Sequence, residues 1–84
     1  MTLTMAQQKL AKKLQLDLLQ VYGSPMLTSE QLQKVMGYRS IYALRQAITR
    51  KTFPIKTFKI AKRKGHFALV EDVACWLASN ALSY

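Results

Sequence analysis

Apolar residues recur every three or four positions over residues 5 to 21, the spacing that places side chains on one face of a helix. Polar and basic residues occupy most of the positions between them. The pattern stops at Gly23, Ser24 and Pro25, residue types that end helices and form linkers. The main apolar positions are Leu10, Leu14, Leu18 and Val21. We therefore assign residues 1 to 24 to an N-terminal amphipathic helix and its linker.

Three interpretations of this N-terminal helix are open from the sequence. It can pack on the rest of the domain, as most amphipathic helices do. Its broad leucine stripe also suits self-association, which small domains often use for stability. A helix lying on a membrane surface is the third option, although the aromatic anchors usual for that role are missing.

Two short helices joined by a glycine-containing turn are predicted next. Thr28 can cap the first helix, Gln31 completes a capping box three residues later, and Gly37 ends it. Ser40 can cap the second helix, which runs to about Lys51. The inner face of this second helix is Ile41, Leu44, Ala47 and Ile48. This arrangement is a helix-turn-helix.

A basic β-hairpin and a last helix complete the pattern. Residues 57 to 61 and 66 to 70 alternate between apolar and polar, with Phe67 and Leu69 predicted to face the core. The turn between the two segments is Lys62, Arg63, Lys64 and Gly65. This last helix is predicted to begin at Glu71, because an acidic residue suits the positive end of the helix dipole. Its predicted inner face is Val73, Trp76 and Leu77.

The order helix, turn, helix, basic hairpin, helix predicts a winged helix-turn-helix. We expect an α+β fold that is mostly α, with a two-stranded basic wing and an extra N-terminal helix. Residues 25 to 84 would form the DNA-binding domain.

Positive charge is concentrated in the middle of this chain, whose net charge is +9. No acidic residue occurs between Glu30 and Glu71, and that stretch contains most of the basic residues. Basic side chains concentrated in this way repel one another, and a bound polyanion would offset the repulsion. Lys and Arg side chains that neutralise the phosphates of a nucleic acid release its bound counterions, which favours binding. Nucleic acid is therefore the first candidate partner.

Composition excludes several other classes. One Cys and one His cannot form a structural zinc site, and a single Cys forms no internal disulfide, which suits a reducing cytoplasm. We expect Cys75 to be a small core residue rather than a reactive one. No apolar run is long enough for a membrane span. No Gly-rich phosphate loop or catalytic triad pattern occurs, so we expect no enzyme, no metal and no cofactor.

Three segments resemble one family of bacterial regulators. The run Leu-Thr-x-x-Gln-Leu-x-x-Val-Met-Gly over residues 27 to 37 is similar to the opening helix of MerR-like DNA-binding domains. Ile48 followed by the pair Phe53-Pro54 resembles the end of the recognition helix in AlpA-type regulators. The run Glu-Asp-Val-Ala-Cys-Trp-Leu over residues 71 to 77 resembles their closing helix. The resemblance covers residues 27 to 80.

This resemblance implies a small DNA-binding protein of a phage or another bacterial mobile element. Families of the kind that it resembles include phage and island excisionases, AlpA-like activators and pyocin-activator-like proteins. We therefore expect a transcription regulator, an excisionase that directs recombination, or both, in the cytoplasm on DNA. Double-stranded DNA, further copies of the chain and a recombinase are the expected partners. A non-specific architectural protein that binds DNA or RNA and a protein-interaction adaptor or antirepressor stay open.

The candidate contact residues fall into three groups. For the recognition helix they are Arg39, Ser40, Tyr42, Gln46, Thr49 and Arg50, of which Arg39 could pair with guanine and Gln46 with adenine. For the wing they are Lys59, Lys62, Arg63 and Lys64, with Arg63 expected to enter a minor groove. For backbone phosphates they are Lys34, Arg45, Lys51 and Lys56. An exposed Tyr42 could instead cover part of the core, and a charged turn can simply be solvated.

Overall fold

The computed structural model describes residues 3 to 82, in which it places four helices and two short strands. In chain order they are α1 (Met5–Tyr22), β1 (Met26–Leu27), α2 (Ser29–Val35), α3 (Ile41–Thr49), β2 (Ala68–Leu69) and α4 (Val70–Ala81). The two strands pair as a small antiparallel sheet. The predicted fold class, α+β and mostly helical, is confirmed.

The chain forms two compact units. The first, here called the helical unit, combines the segment up to Pro25 with the segment from Leu69 onward. The second, here called the central unit, is Met26–Ala68. This division has a break after Pro25, one residue beyond the expected boundary, and it groups the last helix with α1 rather than with the helix-turn-helix. The expected DNA-binding domain of residues 25 to 84 stays a prediction.

In the helical unit, α1 packs against α4 in an antiparallel arrangement. The Gln7 side-chain amide, near the start of α1, donates a hydrogen bond to the Ser79 carbonyl at 3.3 Å, near the end of α4. At the other end, the Val70 N–H donates to the Pro25 carbonyl at 2.8 Å. Among the described helices, none is both long and apolar enough to cross a bilayer.

Small side chains line the buried face of this helix pair. Ala11 of α1 and Ala74 and Ala78 of α4 are buried, together with Val73. Side-chain size at the contact sets the distance between two helix axes, so alanines allow a close approach. The predicted inner face of α4 is confirmed at Val73. Trp76 and Leu77 are only half-buried, because α4 turns its alanines inward.

The predicted apolar face of α1 is buried unevenly. Leu10, Leu14 and Leu18 are half-buried, whereas Val21 exposes 73 % of its surface. Val21 lies in the last turn of α1, which ends at Tyr22. Packing of α1 on its own chain is thus confirmed, and self-association stays a prediction.

In the central unit, α2 begins as the sequence predicts. The Thr28 N–H donates to Oε1 of Gln31 at 2.9 Å, and the Gln31 N–H donates to Oγ1 of Thr28 at 3.3 Å, so the capping box is confirmed. The helix ends at Val35, and Gly37 then adopts a φ of +76°. A positive φ is costly for residues with a Cβ, which explains the glycine.

The second helix of the pair, α3, also begins where predicted. Oγ of Ser40 accepts a hydrogen bond from the Ala43 N–H at 3.0 Å. The helix ends at Thr49, slightly before the predicted end. Lys51 follows with a φ of +60°, and the Thr52 N–H then donates to the Ala47 carbonyl at 2.9 Å. A left-handed residue of this kind is a common helix terminator.

The predicted two-stranded wing is wrong in extent. A single antiparallel bridge joins Phe58 and Phe67, with both N–H···O=C distances at 2.9 Å. The following residues pair with β1 instead of with residues 57 to 61, and α4 begins at Val70. This different pairing turns Leu69 outward, with 41 % of its surface exposed, so its predicted core position is also wrong. We use the term wing for the loop of residues 59 to 66.

The core of the central unit is small and takes residues from all of its helices and strands. Its buried apolar residues are Leu27, Leu32, Leu44, Ile55, Phe67 and Ala68. Two aromatic pairs extend it, Tyr38 with Phe53 at 5.9 Å and Phe58 with Phe67 at 6.2 Å between ring centroids. The predicted inner face of α3 is fully buried at Leu44 and half-buried at Ile41, Ala47 and Ile48. Much of α3 therefore stays accessible.

Candidate nucleic-acid interface

The net charge of the chain belongs to the central unit. That unit contains ten basic residues and one acidic residue, Glu30, for a net charge of +9. The helical unit contains three basic and three acidic residues, for a net charge of zero. All ten cations of the central unit are exposed: Lys34, Arg39, Arg45, Arg50, Lys51, Lys56, Lys59, Lys62, Arg63 and Lys64. The structure thus separates a charged unit from a neutral one.

The exposed face of α3 carries several of the predicted recognition residues. Tyr42, Arg45 and Thr49 follow each other at helical spacing and are all exposed. Tyr42 leaves 67 % of its surface uncovered, so it does not cover the core. Gln46 is half-buried beside them. Arg45, which the sequence assigned to phosphate contact, shares this face with Tyr42 and Thr49 of the predicted recognition helix.

The start of α3 places two more candidates at an accessible helix end. Arg39 and Ser40 are exposed just before the first helical residue. Oγ of Ser40 accepts the capping hydrogen bond from Ala43, which leaves its O–H as a donor. At the other end, Arg50 and Lys51 are exposed after the last helical residue.

An aromatic contact holds Arg63 at the wing. Its guanidinium lies 5.3 Å from the centroid of the Phe67 ring, a cation–π geometry. Phe67 is itself buried and stacks on Phe58. The Arg63 N–H also donates to the Ile60 carbonyl at 3.0 Å, and Lys62 between them has a φ of +67°. Arg63 is therefore anchored beside the core, whereas Lys62 occupies the turn.

The hydroxyl of Ser29, at the start of α2, forms two hydrogen bonds to the end of the wing. Oγ of Ser29 donates to the His66 carbonyl at 2.9 Å and accepts from the His66 N–H at 3.0 Å. Gly65, with a φ of +85°, passes so close that a Cβ on it would lie 3.0 Å from the same Oγ. Sequence reasoning missed Ser29, because its partner is distant in the chain and no local pattern marks it.

These elements enclose an open cleft of about 460 Å³ in the central unit. The first residues of α2, Arg45 of α3, and Arg63 and Lys64 of the wing line it. Glu30 also lines the cleft and is the one acidic residue among the described lining residues. The structure thus brings one predicted phosphate contact together with two predicted wing residues.

The other predicted contacts lie outside this cleft. Lys34 is in the last turn of α2, Lys56 follows the end of the Phe53-Pro54 pair, and Lys59 and Lys62 are on the wing. All of them are exposed. Over residues 3 to 82, no cluster of His, Cys, Asp and Glu has the composition to hold a metal ion.

Cys75 lies outside the charged unit, on α4. It is half-buried rather than in the core. Burial raises the pKa of the Cys75 thiol above its ordinary value, and the carboxylates of Glu71 and Asp72 raise it further. Both carboxylates lie one turn before the thiol, on the same side of the helix. The thiol is therefore protonated, and poorly nucleophilic, near neutral pH.

Comparison of the chain with protein-family models, with curated proteins and with solved structures gave no match. The resemblance to AlpA-type regulators therefore stays a prediction that rests on the residues quoted for it.

Proposed function

We propose that this protein binds duplex DNA in a sequence-specific manner. The observation that carries the proposal is the separation of charge: the unit containing the helix-turn-helix has a net charge of +9, and the helical unit has none. Counterion release from phosphates would give the charged unit most of its affinity. The neutral unit would be free for another task.

In the proposed complex, α3 enters the major groove. Recognition helices contact base edges chiefly with residues near their N-terminus, and Gln46 lies one turn after Tyr42 on the same side of α3. The exposed Arg39 and Tyr42 and the half-buried Gln46 have the chemistry for this contact, since Arg pairs with guanine and Gln with adenine. The wing and the exposed lysines would contact the neighbouring backbone or minor groove.

For the biological role, we propose a transcription regulator of a mobile element, an excisionase that biases a recombinase, or a protein that does both. The sequence resemblance supports these roles. A single small domain covers little DNA, so useful specificity calls for several copies on adjacent sites. The helical unit would supply the contacts between neighbours, through exposed apolar residues such as Leu16 and Val21.

The same exposed apolar residues favour a second candidate function, that of a protein-interaction adaptor. Met5 and Leu16 lie on one side of α1 and are both exposed. An adaptor would use this neutral surface to bind another regulator, with DNA contact as a secondary property. A non-specific architectural protein, which binds by charge without base preference, is the other alternative.

In vitro selection from random duplex DNA tests the proposal. We would select with the full chain at about 0.15 M salt, at which non-specific contacts are already weak. We expect one enriched motif, repeated at a fixed spacing if copies bind side by side. Binding at low salt without any enrichment would contradict sequence-specific reading and favour the architectural function. Absence of binding at both salts would favour the adaptor.

A further inference from the structure

We propose that the cleft between the start of α2, Arg45 and the wing is a phosphate-binding site whose occupant is a phosphodiester of the DNA backbone. This inference rests on the proposed function and deepens it. It assigns Arg63 to a phosphate, in place of the minor-groove insertion that the sequence predicted.

Three cations from two separate parts of the chain line this cleft. Arg45 comes from α3, and Arg63 and Lys64 come from the wing. A guanidinium can donate two parallel hydrogen bonds to a phosphate, which makes Arg the preferred residue for such sites. Against the single carboxylate of Glu30, the lining has a net charge of +2. An anion is the ligand class that this lining fits.

The wing part of the site is held in place before any ligand arrives. Arg63 lies over the buried Phe67 ring, and the double hydrogen bond between Ser29 and His66 fixes the chain just after Lys64. Fixed side chains lose less conformational entropy on binding than free ones. This arrangement suits a specific phosphate contact better than a merely solvated charged loop.

The position of the cleft explains how it would act in DNA binding. Arg45 lies on the same exposed face of α3 as Tyr42 and Thr49. A phosphate held between Arg45 and Arg63 would therefore set how α3 lies in the groove. Phosphate contacts of this kind position a protein, and base contacts then specify the sequence. The cleft is open to solvent, so a phosphate that belongs to a longer strand can reach it.

The first arm of the test uses inorganic phosphate and the full chain without DNA. In an NMR titration against sodium chloride of equal ionic strength, we expect saturating shifts of the Gly65 amide and of the Arg45 and Arg63 Nε–H signals. Arg45→Ala should weaken this binding several-fold, and Lys12→Ala, which removes an exposed cation of the neutral helical unit, should not. Equal weakening by both variants, or shifts spread over all the cations, would overturn the site.

The second arm identifies the occupant with duplexes that carry one neutral methylphosphonate at successive positions. We expect one phosphate whose neutralisation weakens wild-type binding about tenfold and has little further effect on Arg45→Ala or Arg63→Ala. If neutralising that phosphate weakened binding by the same factor in Arg45→Ala and Arg63→Ala as in the wild type, the phosphate site in the cleft would be contradicted. The proposed DNA binding would stand in that case. Saturable phosphate binding by a protein that binds no duplex would contradict the proposed function and the DNA assignment, and would identify a free phosphate compound as the ligand.

Discussion

Ser29 and His66 form a reciprocal hydrogen-bonded pair in which one hydroxyl satisfies both backbone groups of the partner residue. Oγ of Ser29 donates to the His66 carbonyl at 2.9 Å and accepts from the His66 N–H at 3.0 Å. Ser29 is buried at the start of α2, and His66 ends the wing. Through this pair, the helix-turn-helix determines where the wing cations lie.

Ser29→Ala should destabilise the central unit by about 1–3 kcal/mol, because it leaves a part-buried N–H and C=O of His66 without their partner. Urea unfolding measures this loss. Amide hydrogen exchange at His66 should also become faster, since its N–H loses its acceptor. Ser79→Ala, which removes the same atom from a helical serine of α4, is the control and should not lower stability. Unchanged stability and unchanged exchange in Ser29→Ala would refute this role of the hydroxyl.

Gly65→Ala should destabilise the protein more than Gly37→Ala. Both glycines have a positive φ, which costs an alanine about 1–2 kcal/mol. At Gly65 the new Cβ would also lie 3.0 Å from Oγ of Ser29, whereas at Gly37 no atom lies within 4 Å. Both variants include the cost of the positive φ, so the difference between their urea midpoints reports the effect of the contact between the new Cβ at residue 65 and Oγ of Ser29. Equal losses in the two variants would mean that the approach of Gly65 to Ser29 contributes nothing.

Lys51→Gly should be more stable than Lys51→Ala by about 1 kcal/mol. Lys51 has a φ of +60° just after α3, a conformation that glycine adopts without strain. Both variants remove the same charge, so their thermal or urea stabilities differ only through the backbone. If the proposed DNA binding is correct, both should also reduce the salt dependence of affinity by about one phosphate contact. Greater stability of the alanine variant would contradict the left-handed helix end.

The parts of the fold that the sequence predicted correctly depend on local rules. Thr28 and Gln31 form their capping box within one turn, and Ser40 caps α3 through its own side chain. Apolar spacing likewise identified α1 and the buried Leu44. Interactions within a few residues of each other are specified by the segment itself, so a pattern can reveal them.

The errors arose where a distant segment decides the outcome. The alternation of residues 66 to 70 favours a strand, but it does not specify whether that strand pairs with residues 57 to 61 or with β1. Its pairing with β1 changes which side chains point inward and exposes Leu69. For the same reason, the sequence predicted Arg45 and Arg63 as separate contacts and did not place them in one cleft.

The thiol of Cys75 should react slowly with iodoacetamide at neutral pH. Burial and the carboxylates of Glu71 and Asp72 raise its pKa, so little thiolate is present in the folded state. Glu71→Gln should speed the reaction, and Glu30→Gln, in the other unit, should not. Folding disfavours the thiolate, so stability is lost as pH rises from the unfolded pKa of the thiol through its higher folded pKa. A folded rate equal to that of the chain in urea would contradict the raised pKa.

Gln46→Ala and Lys62→Gly should affect DNA binding in different ways, if the proposed function is correct. Gln46 is half-buried beside the exposed Tyr42 and Thr49 of α3, and its loss should relax preference at one base pair by about 1–3 kcal/mol of discrimination. Lys62 has a φ of +67°, so glycine keeps the wing backbone while removing the cation. Its loss should weaken all sequences alike and reduce the salt slope by about one. Binding to single-base variants of the selected motif, at several salt concentrations, measures both effects. If Lys62→Gly changed base preference while Gln46→Ala weakened every sequence equally, the wing rather than α3 would be the reading element.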